Sequence, residues 1–298
     1  MPYFLQQLAN SLPAASLYAA LAFGYALIFG ITRRADISYG ALYAFSGQVL
    51  LLFANFAYNG LWLVMPAALA CGCIAALLYG AGTALVNARH VMRPLFSQAA
   101  NGVLVAALGI AIFLMEMVRL AADSHLLWLP PLLDTQIVFF SANDFHVVLT
   151  QMQLIETVGF WALVWIGAVA LKYTILGRVW RAVADDPDAA ALCGINAGRV
   201  FVITYSLAGL IAASCGVLAT LYYGTMDFGA GLFFSLKILM VAAVGGYSNP
   251  MRSAMGAALL GVTETLWAAY ASYLWRDAAI FSLLVLLLVL SRRERLNP

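Results

Sequence analysis

The chain has 298 residues, of which 64% are apolar and only 9% are Asp, Glu, Lys or Arg, and its mean hydropathy is +0.94. A soluble globular domain carries roughly 45–50% apolar and about 25% charged residues, so too little polar surface is present to coat a water-soluble globule of 32.0 kDa. The apolar excess must face lipid, which excludes a soluble enzyme, a disordered chain and a disulfide-stapled secreted scaffold, and a net charge of +2 is too small to point to nucleic acid.

The expected fold is an all-α polytopic membrane protein, with 1–298 forming a single transmembrane domain. A span needs about 20 predominantly apolar residues. Such stretches lie at roughly 12–31, 40–57, 61–85, 101–121, 154–172, 200–221, 233–246, 255–273 and 278–290, about nine, with eight to ten compatible with the pattern. The first thirty residues contain no Lys or Arg, so the opening run lacks the basic region of a cleavable signal and reads as a retained first helix. The seventh and ninth stretches are short, and the seventh contains Lys237.

Orientation follows from the basic residues, which resist crossing the membrane during insertion. Arg33, Arg34, Arg89, Arg93, Lys172, Arg178, Arg181, Arg199, Arg252, Arg292, Arg293 and Arg295 fall on one side, twelve of the fifteen. The opposite loops hold only Arg119 and Arg276. The expectation is an outside N-terminus, with the basic loops and the C-terminus in the cytoplasm.

Two hydrophilic segments stand out. Residues 122–153, outside in this topology, combine Asp123, Asp134 and Asp144 with Trp128, Pro130, Pro131, Phe139 and Phe140, the composition of an ordered interfacial cap or of a plain connector. Residues 174–199 are cytoplasmic. Gly177 to Ala184 can form a short amphipathic helix. Asp186 is then a natural N-cap, with Pro187 at the first helical position, Asp188 at the positive end of the dipole and Gly194 as a left-handed stop. A short capped helix rimmed by charge suits docking to a soluble partner, while a solvated connector is the plainer alternative.

Small residues recur every fourth position at Ala68, Gly72, Ala76, Gly80 and Ala84, at Ala208, Ala212 and Gly216, and at Ala22, Ala26 and Gly30. These seams allow close helix approach in lipid. Ionisable groups inside spans are costly and so are functional candidates: Glu116, expected to pair with Arg119 one turn on; Glu156, expected to be interfacial; and Lys237 and Glu264, which either line a polar path or form a buried structural pair. Two breaks adjoin helix starts, Asp36-Ile37-Ser38-Tyr39-Gly40 and Gly245-Gly246-Tyr247-Ser248-Asn249-Pro250, and interrupted helices are where transporters bind solutes. Asp36, Ser38, Tyr39, Lys237, Gly245, Gly246 and Glu264 are therefore the expected translocation path.

No phosphate-binding loop, H-E-x-x-H or G-x-S-x-G motif is present, and His90, His125 and His146 show no metal-ligand spacing. Cys71-Gly72-Cys73 is too closely spaced for a zinc or redox motif, and Cys71, Cys73 and Cys215 lie in apolar runs where a thiol packs as a small hydrophobe.

The pattern Gly177-Arg178-(x2)-Arg181-Ala182, followed by Ala189-Ala190 and Cys193-Gly194-Ile195-Asn196, resembles the signature of branched-chain amino acid ABC transporter permeases of the LivH type. The similarity extends over Tyr3-Phe4-Leu5-Gln6-Gln7, Tyr18-Ala19 through Gly24-Tyr25, Arg93-Pro94-Leu95, Ala107-Leu108-Gly109-Ile110, Gly245-Gly246, and Gly256 to Gly261 with Glu264. The resemblance implies a type II-like importer permease without covalent chemistry of its own. Its partners would be a second, homologous but different permease subunit, two cytoplasmic ATPases that use ATP and Mg, and a periplasmic solute-binding protein. It further implies that Gly177, Arg178, Arg181, Ala182, Asp185, Asp186, Pro187, Asp188, Gly194 and Ile195 form the coupling region seated on an ATPase, in a multi-pass protein of the bacterial inner membrane. This chain has Asp36-Ile37-Ser38-Tyr39-Gly40 where the family reads Asn-Phe-Ala-His-Gly, and Tyr247-Ser248-Asn249-Pro250 where it reads a glycine-rich stretch, which leaves the solute open among branched-chain amino acids, urea, short amides and aromatic acids. An ion-driven secondary transporter, a membrane-embedded enzyme and a passive channel are the rival classes.

Overall fold

The computed structural model describes residues 2–95, 100–142, 145–246, 249–271 and 273–294. Asp144, Tyr247, Ser248 and Arg295 lie outside them. Eleven helices are named here in chain order: α1 Pro2–Thr32, α2 Ser38–Asn59, α3 Met65–Val86, α4 Ala100–Ala121, α5 Gln151–Tyr173, α6 Ile175–Asp185, α7 Pro187–Leu192, α8 Ala197–Tyr223, α9 Ala230–Val244, α10 Pro250–Tyr270 and α11 Arg276–Glu294. α3 runs on through a π-helical turn, Asn87–Met92, into Arg93–Leu95.

A helix covers each of the nine apolar stretches. Among the described residues, six are long and apolar enough to cross a membrane: Tyr3–Thr32, Ser38–Asn59, Met65–Leu95, Gly102–Ala121, Gln151–Tyr173 and Ala197–Tyr223. α9, with 15 residues, reaches about 23 Å, short of the roughly 30 Å hydrocarbon core.

The helices sort into a centre and a periphery. Of the most apolar stretch of α1 and of α2, 78% is buried inside the protein, against 17% for α5. α1 lies along α10, and α2 is flanked by α3, α8 and α9. The small-residue seams make this possible. Ala68, Gly72, Ala76, Gly80 and Ala84 are the buried stripe of α3, while Ile74 and Leu78 between them stay exposed. A side chain on Gly72 would collide with the Leu50 carbonyl, one on Gly80 with Ser46 and Ala213, and one on Gly216 with the Tyr43 carbonyl. Backbones thus meet where side chains are absent, and dispersion contacts replace the hydrophobic drive that lipid cannot supply.

The chain departs from an all-helical fold in one place. Gln136–Ala142 (β1) and Phe145–Thr150 (β2) pair as an antiparallel hairpin, with a register shift between Val138 and Phe140. The reason is local: both strands are rich in β-branched and aromatic residues, which suit a pleated, half-buried surface. Val147 and Leu149 point into the protein. The side-chain amide of Gln6, in the first turns of α1, donates to the Val148 carbonyl and accepts from the Val148 N–H, both at 2.9 Å, as a neighbouring strand would. Leu129 N–H donates to the Gly224 carbonyl at 2.7 Å, which pins the rest of the segment to the end of α8. The described residues of 122–153 therefore form an ordered cap.

Candidate functional site

Three sets of polar residues are built into the helix framework. The first is the segment from Thr174 to Arg199. Thr174 caps α6 by accepting from the Gly177 N–H at 3.3 Å. Gly177, Trp180 and Val183 recur every third residue and are the buried stripe of α6, while Arg178, Arg181 and Asp185 are exposed; Ala182 is half-buried. This amphipathic helix is moored at three points. The Trp180 indole N–H donates to the Leu27 carbonyl of α1 at 3.1 Å, and the ring sits where any side chain on Gly30 would be. Arg33 donates to the carbonyls of Ala184 and Asp185 at 3.0 and 3.3 Å, satisfying the C-terminal end of α6. Arg181 donates to the Leu171 carbonyl at 2.5 Å, at the end of α5.

α7 is capped at both ends. Asp186 accepts from the N–H groups of Asp188 and Ala189 at 2.9 and 3.0 Å, with Pro187 opening the helix. Gly194 has φ +82°, its N–H donates to the Ala191 carbonyl, and the Ile195 N–H donates to the Ala190 carbonyl, both at 3.0 Å. This pair of bonds is a Schellman stop, and its left-handed residue favours glycine. Asp185, Asp186, Pro187, Asp188, Gly194 and a 91%-exposed Leu192 face outward, and Ile195 is half-buried.

The second set lies at the α1–α2 junction. Ser38 donates to Asp36 Oδ1 from its N–H at 2.8 Å and from its hydroxyl at 2.7 Å. The same hydroxyl is 2.8 Å from the Tyr205 hydroxyl of α8, which accepts from the Asn87 amide at 3.2 Å. Asp36 N–H donates to the Tyr25 hydroxyl at 3.2 Å, and Tyr39 packs edge-on against Tyr25. Burial pushes the Asp36 carboxyl above its ordinary range, opposed by the hydrogen bonds of Ser38 and Tyr205. A void of about 10 Å³ lies beside Asp36 among Ile28, Thr32, Arg34, Met92, Val103, Phe201 and Tyr205. Asp36, Ser38 and Tyr39 thus form a closed knot that ties α1, α2, α3 and α8 together.

The third set is electrostatic. Lys237 of α9 donates to Glu264 Oε1 of α10 at 2.7 Å, and both are buried. Arg276, at the start of α11, approaches the same oxygen at 3.6 Å. The rings of Tyr18 and Phe233 face the Lys237 ammonium at 5.0 and 5.7 Å, adding cation–π attraction. Gly245 and Gly246 end α9, where Gly246 takes φ +83° and a side chain on Gly245 would strike the backbone of Arg252 and Ser253. The three sets share no direct hydrogen bond or ion pair among the described residues.

The family model described as branched-chain amino acid transport system, permease component, matches residues 7–290. The chain belongs to this permease family. The high-affinity branched-chain amino acid transport system permease protein LivH of Salmonella typhimurium is 31% identical over 295 residues, covering 96% of this chain and 93% of that protein. BraD of Pseudomonas aeruginosa, described as a high-affinity branched-chain amino acid transport system permease protein, is 30% identical over 291 residues, 96% of this chain and 94% of its own. The ribose import permease RbsC of Escherichia coli is 24% identical over 260 residues, covering 83% and 71%. No solved structure matches the chain.

The permease therefore carries its expected residues in separate places. Glu156, expected at the interface, is 1% exposed in the first turns of α5, where Gln153 also reaches the Tyr222 hydroxyl at 3.1 Å. Glu116 pairs with Arg119 at 2.6 Å on an exposed face. Sequence reasoning missed Arg33, Asn87, Trp180 and Tyr205, the residues that moor the segment 174–199 and complete the knot. A Tyr205→Phe variant is expected to lose about 1–3 kcal/mol, because the buried Asn87 amide is left without its acceptor. A thermal-shift measurement on the detergent-solubilised permease checks this; an unchanged midpoint would show that the hydroxyl carries no structural role.

Proposed function

We propose that the chain is the permease subunit of an ATP-driven importer in the bacterial inner membrane. It would carry a small solute, a branched-chain amino acid or a related amino acid or amide, inward by alternating access. The observation that carries this reading is the segment 174–199, a capped and moored helix pair that presents Arg178, Asp185, Asp186, Asp188 and Leu192 outward. An ATP-driven permease with no phosphate-binding loop of its own would take its free energy from a partner that has one, and a rigid amphipathic element tied to α1 suits the transfer of motion. Two ATPases would seat on this segment, a second and homologous permease chain would pair with this one, and a solute-binding protein would meet the hairpin face. About nine spans with the N-terminus outside would place the two faces accordingly, and twelve basic residues falling in alternate loops support that orientation. Lys237, Gly245, Gly246 and Glu264, with the Asp36–Ser38–Tyr39 knot, are the polar groups whose rearrangement would accompany the change of access.

Reconstitution tests the reading. The permease co-purified with its ATPases in vesicles is expected to take up solute only when ATP and Mg are supplied. Uptake that instead follows an ion gradient without ATP would move the assignment to a secondary transporter, with Lys237, Glu156 and Glu264 as the coupling charges.

A further inference from the structure

A groove of about 520 Å³ opens between α5 and α8, with the coupling segment as its floor. Its walls are apolar: Leu163, Ile166 and Ala170 from α5 face Ile203, Leu207 and Leu210 from α8. Of its polar groups, Thr174, Asn196 and Arg199 lie at the end where α8 starts, and Thr204 and Ser214 lie further along α8. The Arg199 side chain is exposed, and its guanidinium has no carboxylate partner among the described residues.

We infer that this groove holds one anionic phospholipid of the cytoplasmic leaflet, with an acyl chain along α5 and α8 and the phosphate at Arg199. Three properties support a lipid. The α5 wall from Leu163 to Thr174 covers about 16 Å of helix, long enough for the roughly 15 Å of hydrocarbon in one leaflet, and the α8 wall runs on to Ser214. The charge lining the groove, Arg199, sits at one end of it, as the headgroup does in a lipid. The uncompensated guanidinium sits at the headgroup end, where basic pockets between spans attract anionic headgroups. Such a lipid would lie directly on Gly177 and Val179 of the coupling helix and so form part of its seat. The leaflet assignment rests on the proposed orientation; the groove and its charge do not.

The test is lipid retention, measured without ATP or transport. The permease, with whatever subunits accompany it, is passed through vesicles of phosphatidylethanolamine with phosphatidylglycerol, extracted and weighed by native mass spectrometry. One phosphatidylglycerol per permease is expected to remain. Arg199→Gln is expected to weaken its retention about fivefold, the value of one basic contact near the surface, and Leu207→Trp to expel the acyl chain of either lipid. Equal retention by Arg199→Gln, or equal retention of neutral and anionic lipid, would overturn the proposal. So would a disulfide formed from Leu207→Cys to an accompanying protein subunit, since protein would then fill the groove. Lost ATP-dependent uptake with lipid retention intact would count against the importer reading alone.

Discussion

Glu264→Leu is expected to be among the most damaging single changes in the protein, lowering stability by about 3–5 kcal/mol, the cost of removing one partner from a buried ion pair. Lys237, 4% exposed, would be left with aromatic rings and a second cation, Arg276. The reverse change, Lys237→Met, is expected to cost less. Glu264 then keeps the Arg276 guanidinium, now 3.6 Å away and free to close in. The double variant Lys237→Met/Glu264→Leu should recover most of the loss, because apolar replacement of a whole buried pair is often neutral. Thermal unfolding of the three variants in detergent measures this asymmetry. Equal losses for the two single variants would show that Arg276 does not share the carboxylate.

The second large effect is expected at the exposed face of the segment 174–199, the proposed ATPase seat. Arg178→Glu combined with Leu192→Asp should reduce ATP-dependent uptake at least tenfold, because an arginine anchor inside an interface can carry about 2 kcal/mol or more and the introduced carboxylates would be buried there without partners. Neither side chain packs inside the protein, and Leu192 is 91% exposed, so yield and melting temperature should not change. Arg181→Glu is a less clean probe, since it also breaks the bond to the Leu171 carbonyl and frays the end of α5. Uptake assays alongside the melting curve separate the cases, and full uptake by the double variant would remove the coupling role from this surface.

Local chemistry was readable wherever cause and effect lie within a few residues. The caps at Asp186 and Gly194, the Glu116–Arg119 pair and the small-residue stripe of α3 all follow from spacing of four or less, and the structure reproduces each. The Lys237–Glu264 contact was legible as one of two options because a charge inside a span needs a partner. What escaped were bonds between distant positions: Tyr205 meets Ser38 across 167 residues and Asn87 across 118, and no periodicity encodes such a meeting. The π-helical turn at Asn87–Met92 has no compositional mark either. The hairpin was hidden for another reason: its two short strands lie inside a segment set apart by its aspartates and prolines, and only their β-branched and aromatic residues mark them as strands.

α1 is gripped at both extremities. Gln6 holds Val148 of the hairpin at one end, while Leu27 and Gly30 receive Trp180 at the other. With 31 residues the helix is about 46 Å long, and its one weak point is Pro13, which removes a backbone donor. Under the proposed function it would serve as a push rod: a stroke delivered at α6 would have a stiff route to the opposite face, and a load on the hairpin the same route back.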